Sequence, residues 1–294
     1  MRHLDRIQAL LPDLEIRQAE LNREGLVNDV VIINRQRVFR FPKSSWAQAM
    51  LHHEVKVLAL ARRYIDVRLP DFDLCEDDVV SYELIPGEAL LRDDVLEQPA
   101  SVQDALAETL AGFLSQLHTI PRAAIDKAGI GPSDAVRTTD DWLQLYDEVQ
   151  QELFPLLMSD GKAWVSRLFA PLVDDATFLD CTPTLIHGDL AAYHILCEGS
   201  PLRITGIVDF GTAGLGDPAT DLGCLINVYG ETLLRRMAIT YPGIEEHIER
   251  ARFWAGTLEL QWLLTGIRSE DVSWFAVLIG RARDVSPVGS GWPI

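Results

Sequence analysis

The chain has 294 residues, 48% of them apolar, which is enough to close one large core or two lobes and is not the composition of a disordered protein. Lys and Arg number 26 against 44 Asp and Glu, a net charge of −18. Such a surface repels phosphate backbones and excludes a general nucleic-acid binder; it suits a cationic small molecule, or serves solubility alone.

In chain order, residues 4–11 read as a short amphipathic helix stopped by Pro12, followed by strands at 26–33 and 36–41. Residues 46–64 carry a helical pattern with Met50, Leu51, Val55 and Leu58 on one face. Residues 78–85 form another strand, ended by Pro86-Gly87. Beyond that junction the pattern turns helical. Residues 101–119 are the clearest helix, opened by Ser101 with Asp104 three residues on, a variant of the capping box. Residues 140–158 and 161–173 follow as helices, then short apolar strands at 184–186, 193–197 and 203–208, then a mainly helical tail from 219 to 284. The order predicts an α+β fold of two lobes with a ligand cleft between them. The expected boundary puts residues 1–85 in the first lobe and 86–294 in the second.

Cys75, Cys181, Cys197 and Cys224 contain no C-x-x-C pair, which argues against a zinc knuckle and for reduced thiols in the cytoplasm. The start Met1-Arg2-His3-Leu4-Asp5-Arg6 lacks the apolar stretch of a signal peptide. No apolar run approaches the roughly 18 residues that span a bilayer. The expected protein is a cytoplasmic monomer with no nucleic-acid or membrane partner.

Two segments carry chemistry. In Leu185-Ile186-His187-Gly188-Asp189-Leu190-Ala191-Ala192-Tyr193-His194-Ile195-Leu196 an apolar strand runs into a polar turn with two histidines and a carboxylate. In Ile204-Thr205-Gly206-Ile207-Val208-Asp209-Phe210-Gly211 a second carboxylate ends an apolar run. A lone Asp after a strand is usually a turn former or a helix cap. Two of them twenty residues apart, joined by a hairpin-like pattern, bring both loops to one end of a small sheet. Phosphoryl transfer needs that arrangement: one carboxylate for the hydroxyl proton, another for the metal on the phosphates.

These segments resemble the catalytic loop and the Asp-Phe-Gly element of the protein-kinase-like fold, in the form used by aminoglycoside phosphotransferases, with His-Gly-Asp-Leu where protein kinases have His-Arg-Asp. The resemblance implies a small antiparallel-sheet N-lobe and a larger helical C-lobe. It makes Asp189 the catalytic base and Asp209 the principal Mg2+ ligand. His194 becomes a second metal ligand at a position where the family usually has Asn and where two-double-prime aminoglycoside and macrolide kinases have His. Gly216-Asp217-Pro218-Ala219-Thr220-Asp221 resembles a loop-bracing element, so Asp217, Asp221 and His187 are structural. The phosphate-binding cation of Val38-Phe39-Arg40-Phe41-Pro42-Lys43 falls on Arg40, with Lys43 as the alternative, and Glu54 pairs with it. The phosphate loop, Glu24-Gly25-Leu26-Val27-Asn28-Asp29, has a single glycine. The hinge is Tyr82-Glu83-Leu84-Ile85-Pro86-Gly87: backbone groups of Glu83 and Ile85 read the purine edge, and Tyr82 narrows the pocket beside it. In related kinases such a tyrosine accompanies GTP, so GTP, ATP or both are the expected donors.

On the acceptor side the tail offers Glu231, Glu259, Trp262, Glu270, Asp271 and Trp274, acids and rings suited to a polyamino sugar. Equally, acids and Trp on amphipathic helices serve as solvated faces and core. An aminoglycoside O-phosphotransferase conferring resistance is the leading reading. Still open are a macrolide or a choline- or homoserine-like metabolite as acceptor, a pseudokinase, and a metallohydrolase built on His187, Asp189 and His194.

Overall fold

The structure, a computed structural model, describes residues 2–23, 25, 27–271, 273–276 and 281–292. Glu24 and Leu26 of the expected phosphate loop lie outside the described residues, as do 272 and 277–280 of the expected helical tail.

Helix α1 (Arg2–Leu10) precedes the strands β1 (Ala19–Asn22), β2 (Asn28–Ile33) and β3 (Arg37–Pro42). Helix α2 (Ser45–Ala61), β4 (Leu74–Glu76) and β5 (Val79–Glu83) complete the first lobe. Its five strands form one antiparallel sheet in the order β1-β2-β3-β5-β4. One face buries Val31, Ile33, Phe39, Phe41 and Val79 against Ile7 of α1. Each such side chain contributes roughly 1.5–3 kcal/mol by leaving water. The Ser44 hydroxyl accepts from Ala47 N at 3.1 Å and starts α2. The buried line of α2 is Ala47, Leu51, Glu54, Leu58 and Ala61, with Met50 and Val55 only half-buried. A carboxylate thus occupies a turn of the buried face. The far end of α2, from Val57, joins the core of the second lobe.

After β5 the chain crosses to β6 (Glu88–Ala89), which pairs with β8 (Ile195–Glu198), itself paired with β9 (Arg203–Ile207). Between them run α3 (Arg92–Leu96), α4 (Ala100–His118), α5 (Arg122–Ala128), α6 (Thr139–Glu148), α7 (Ser159–Asp174) and β7 (Thr184–Ile186). Strand β7 pairs with β10 (Gly214–Gly216). Helices α8 (Ala219–Tyr229), α9 (Glu231–Met237), α10 (Ile248–Ser269) and the short α11 (Ser273–Ala276) close the lobe. The antiparallel sheet lobe and the larger helical lobe give the bilobal α+β architecture expected. No helix among the described residues is long and apolar enough to cross a membrane.

Three local expectations are corrected. Helix α4 begins at Ala100 after Pro99 with no side-chain cap, because Pro presets the backbone for a helix start. Asp104 is turned instead to Arg236 of α9. The helix expected over 140–158 ends at Glu148 and continues as a π turn over Val149–Leu153 and a 3-10 turn over Phe154–Leu156. Pro155 has no N–H to carry the α ladder on. The strand expected from 193 begins only at Ile195, since His194 N donates to Ala191 O at 3.0 Å and closes a 3-10 turn.

Candidate active site

The loop between β7 and β8 is held from below. Asp221, fully buried on the first turn of α8, accepts from His187 N at 2.9 Å and from Gly188 N at 2.8 Å. His118 Nε2 lies 3.0 Å from the same carboxylate, and His118 Nδ1 lies 2.7 Å from the Tyr241 hydroxyl. Burial pushes the Asp221 carboxyl up, but His118 and the backbone donors outweigh it and hold the group below its ordinary value. Gly188 has φ +83°, and a Cβ there would lie 2.8 Å from Ser133 Oγ and 3.0 Å from Thr212 O. Only glycine fits.

His187 uses both ring nitrogens inside the protein: Nδ1 accepts from Asp189 N at 3.3 Å and Nε2 donates to Val208 O at 3.1 Å. Burial lowers its pKa, in keeping with a neutral ring. It therefore has no lone pair for a metal, which removes one of the three ligands that a hydrolase reading needs. Its N–H contacts instead tie the Asp189 turn to the end of β9.

Asp189 stands half-exposed with its carboxylate toward the cleft. Its carbonyl accepts from His194 Nδ1 at 2.7 Å. That bond uses the Nδ1 hydrogen, and Nε2 faces Asp209 Oδ2 at 3.4 Å; burial disfavours a charge on the ring, but Asp209 and then Asp189 outweigh it and raise its pKa, which favours a proton on Nε2. Asp209 has φ +68°, an uncommon backbone for a residue with a side chain. Burial raises its pKa, but His194 and then Arg40 more than reverse this and keep the carboxylate ionised. Magnesium prefers oxygen ligands and is held by one or two carboxylates plus substrate phosphates. An ionised, half-exposed Asp209 fits that role; His194 Nε2 could join it only after giving up the proton that Asp209 and Asp189 favour there. Among the described residues no group of three or more His, Cys, Asp or Glu is gathered as a metal cage.

From the sheet lobe, Arg40 of β3 reaches both sides of the cleft. Its Nη1 donates to Glu54 Oε1 at 2.8 Å, and its Nη2 lies 3.4 Å from Asp209 Oδ1. Burial works against the guanidinium charge, but Glu54 and Asp209 outweigh it. Glu54 Oε1 also accepts from Phe210 N at 3.1 Å, so one carboxylate oxygen joins β3, α2 and the Asp209 turn. Lys43 is turned elsewhere: its ammonium donates to the carbonyls of Arg23 and Gly25 and lies 3.5 Å from Asp29. It staples the loop before β2 rather than facing Asp209.

At the junction, Tyr82 is buried at the end of β5 with its ring 5.6 Å from Phe72, edge to face. Burial pushes its phenol up to about 12, with Arg40, Glu54 and Asp209 as its charged neighbours. Glu83 points its side chain to solvent and Arg68, at 3.1 Å. Ile85 is buried.

The acceptor candidates scatter. Glu231 is 1% exposed; Arg252 Nε and Nη2 meet its two oxygens at 2.8 and 2.9 Å, and Ser286 N and Oγ donate to them as well. Glu259 of α10 is half-buried in a cavity of about 260 Å3 shared with Asn227, Arg167 and Arg283, and burial raises its pKa. Trp262 and Trp274 stack at 5.1 Å. Glu270 is exposed at the end of α10, and Asp271 caps Ser273 N at 2.9 Å. Sequence reasoning missed the brace from His118, the Arg250 pair to Asp217 (2.7 Å), and the wall formed by residues 281–288. A histidine in the last turn of a helix and a loop without periodicity give no signal that could have found them.

The family described as Phosphotransferase enzyme family matches residues 18–254. The chain is 33% identical over 284 residues to the viomycin phosphotransferase of Streptomyces vinaceus, covering 92% of this chain and 94% of that protein. Among solved structures it resembles the GDP complex of wild-type aminoglycoside 2'-phosphotransferase-IIIa, with TM-score 0.82, 28% identity and coverage of 95% of both chains. It also resembles the GDP and kanamycin complex of APH(2")-IIia, with TM-score 0.81, 27% identity and coverage of 95% of this chain and 96% of that one.

Proposed function

The chain belongs to the phosphotransferase enzyme family, and we propose that it moves the γ-phosphate of GTP or ATP to a hydroxyl of an aminoglycoside or related basic antibiotic. The observation that carries this reading is the line of contacts Glu54–Arg40–Asp209–His194, which spans the lobes and ends beside the half-exposed Asp189.

In this reading Asp189 accepts the proton of the acceptor hydroxyl as it attacks. His187 and the His194 ring hold the Asp189 backbone from two sides, so the carboxylate is aimed before substrate arrives. Arg40, kept charged by Glu54, donates to phosphate oxygens in the place where the family places lysine. Its planar fork can meet two oxygens where an ammonium would act as a point charge. Asp209 would hold magnesium, joined by His194 once its Nε2 has lost a proton, and the bound ion would neutralise charge on the phosphates. The hinge reads the purine through the Glu83 and Ile85 backbone. The bulk of Tyr82 supports GTP as a donor, and cytoplasmic monomers are the expected form.

A direct assay offers GTP or ATP with magnesium and a panel holding kanamycin, viomycin and a macrolide, and seeks phosphorylated product by mass spectrometry. Product with a basic antibiotic is expected; none with any of them rejects the proposal. The macrolide belongs in the panel because Arg252 neutralises Glu231, which removes one acid counted toward a cationic acceptor.

A further inference from the structure

A second cavity, of about 340 Å3, lies in the helical lobe behind the catalytic loop. None of its lining residues belongs to the nucleotide, metal or acceptor groups above. Its apolar wall is made chiefly by the indoles of Trp142 and Trp254, by Leu179 and Leu215, and by Pro132 and Pro183. The two indoles pack edge to face at 6.4 Å, so the cavity is walled by aromatic surface on which a ring can lie.

Its polar groups are unlike the rest of the chain. Arg122, Arg137 and Arg250 line it against one carboxylate, Asp217, in a protein of net charge −18. Arg250 is matched by Asp217 at 2.7 Å. Arg137 is exposed, donates to the carbonyls of Asp134 and Val136, and interacts with Asp141 only as one of that carboxylate's smaller stabilising influences. Arg122 pairs with Asp126 only on the exposed surface, where such a contact holds weakly. An apolar slot rimmed by guanidiniums recognises a flat hydrophobic body with a carboxylate at one end.

The cavity is joined to the catalytic loop by short contacts. Its wall segment is tied to β10 through Leu215 N donating to Gly131 O at 2.9 Å and Ser133 N donating to Leu215 O at 3.0 Å. Strand β10 is the partner of β7, which leads into His187. Ser133 Oγ donates to Thr212 O at 2.6 Å, and Thr212 Oγ1 donates to His187 O at 3.0 Å.

We propose that this cavity is an effector site for a small aromatic carboxylate, whose binding steadies the 131–137 loop and, through Thr212 and β10, the catalytic loop. The proposal is independent of the acceptor's identity. The test is calorimetric titration of the intact protein with 1-naphthoate and with the uncharged 1-naphthalenemethanol. Saturable naphthoate binding is expected, with the alcohol weaker by at least about tenfold. Ala135→Phe, which fills the slot, and the pair Arg122→Ala with Arg137→Ala should each lose naphthoate affinity while keeping the native circular dichroism and basal turnover. Hydrogen exchange at Gly188 N should slow when naphthoate is bound. No saturable binding, equal affinity for the alcohol, or binding that survives Ala135→Phe overturns the site. Binding without slower exchange at Gly188 overturns its link to the catalytic loop.

Discussion

Arg40 and Glu54 meet at 2.8 Å, both out of water, and Glu54 Oε2 has no hydrogen-bond partner among the described residues. A buried carboxylate with one free oxygen is costly on its own, so the pair depends on the guanidinium remaining in place. Arg40→Ala leaves Glu54 uncompensated and is expected to cost about 3–5 kcal/mol of stability. The same change removes the donor proposed for the phosphates, and kcat is expected to fall by about a hundred- to a thousandfold. Arg40→Lys should fall between the two proteins in both denaturant titration and turnover. A wild-type kcat in Arg40→Ala would refute the phosphate role.

In the proposed mechanism Asp189 and Asp209 divide the work, and substitution should separate them. Asp189→Asn keeps the shape of the loop and removes the proton acceptor, so kcat should fall by about a hundred- to ten-thousandfold. Nucleotide affinity should stay near that of the wild type. Asp209→Asn should instead weaken magnesium-nucleotide binding, read by titration with a fluorescent GTP analogue at graded magnesium. Loss of nucleotide affinity in Asp189→Asn would contradict this division.

The gathering of Asp189, His194 and Asp209 was legible because these residues lie close together along the chain. Asp189 and His194 on one side and Asp209 on the other flank one hairpin, and apolar runs announce its strands. The expected α+β architecture followed from the same alternation. Glu231 was not legible: its buried partner Arg252 lies on another helix, and no period links the two. Strand β1 escaped notice since all four residues are exposed and show no alternation. Lys43 and Arg40 are neighbours in sequence, and only the fold separates the loop staple from the cleft cation.

Asp221 gives a pH dependence with a definite sign. Its pKa is lowered in the folded protein, while the unfolded chain has the ordinary value of about 4. The unfolded state therefore binds the proton more readily. The contribution of Asp221 is fully present above about pH 4 and is lost as pH falls through the folded value. His118, Tyr241 and the backbone of His187 and Gly188 surround it, so the loss loosens the catalytic loop itself. Asp221→Asn should cost about 3–5 kcal/mol at neutral pH and flatten the acid limb of the stability profile. Urea titrations across pH 3–7 check this; an unchanged acid limb would show that other carboxylates carry it.

The segment 281–292 is fastened by the Glu231–Arg252 pair. Arg252 donates to Glu231, to Glu249 and to Gly291 O, while Ser286 and Gly289 are held by Glu231 and Glu249. At Gly230 a Cβ would collide with Asp284 at 1.9 Å, so the chain also presses close there. Arg252→Met strands a buried carboxylate and should lower stability by about 3–5 kcal/mol. Adding Glu231→Leu removes the stranded charge and should restore most of that loss, because a packed apolar pair avoids the desolvation of both ions. The double variant still lacks the bonds to Ser286 and Gly291, so residues 281–292 should exchange amide hydrogens faster than in the wild type. That segment also walls the cavity holding Glu259. If Glu259 meets the acceptor, as the sequence leads one to expect, the acceptor KM should rise in the double variant while kcat at saturation is largely retained. A stable double variant with wild-type exchange and KM would show that the segment is held by its other contacts.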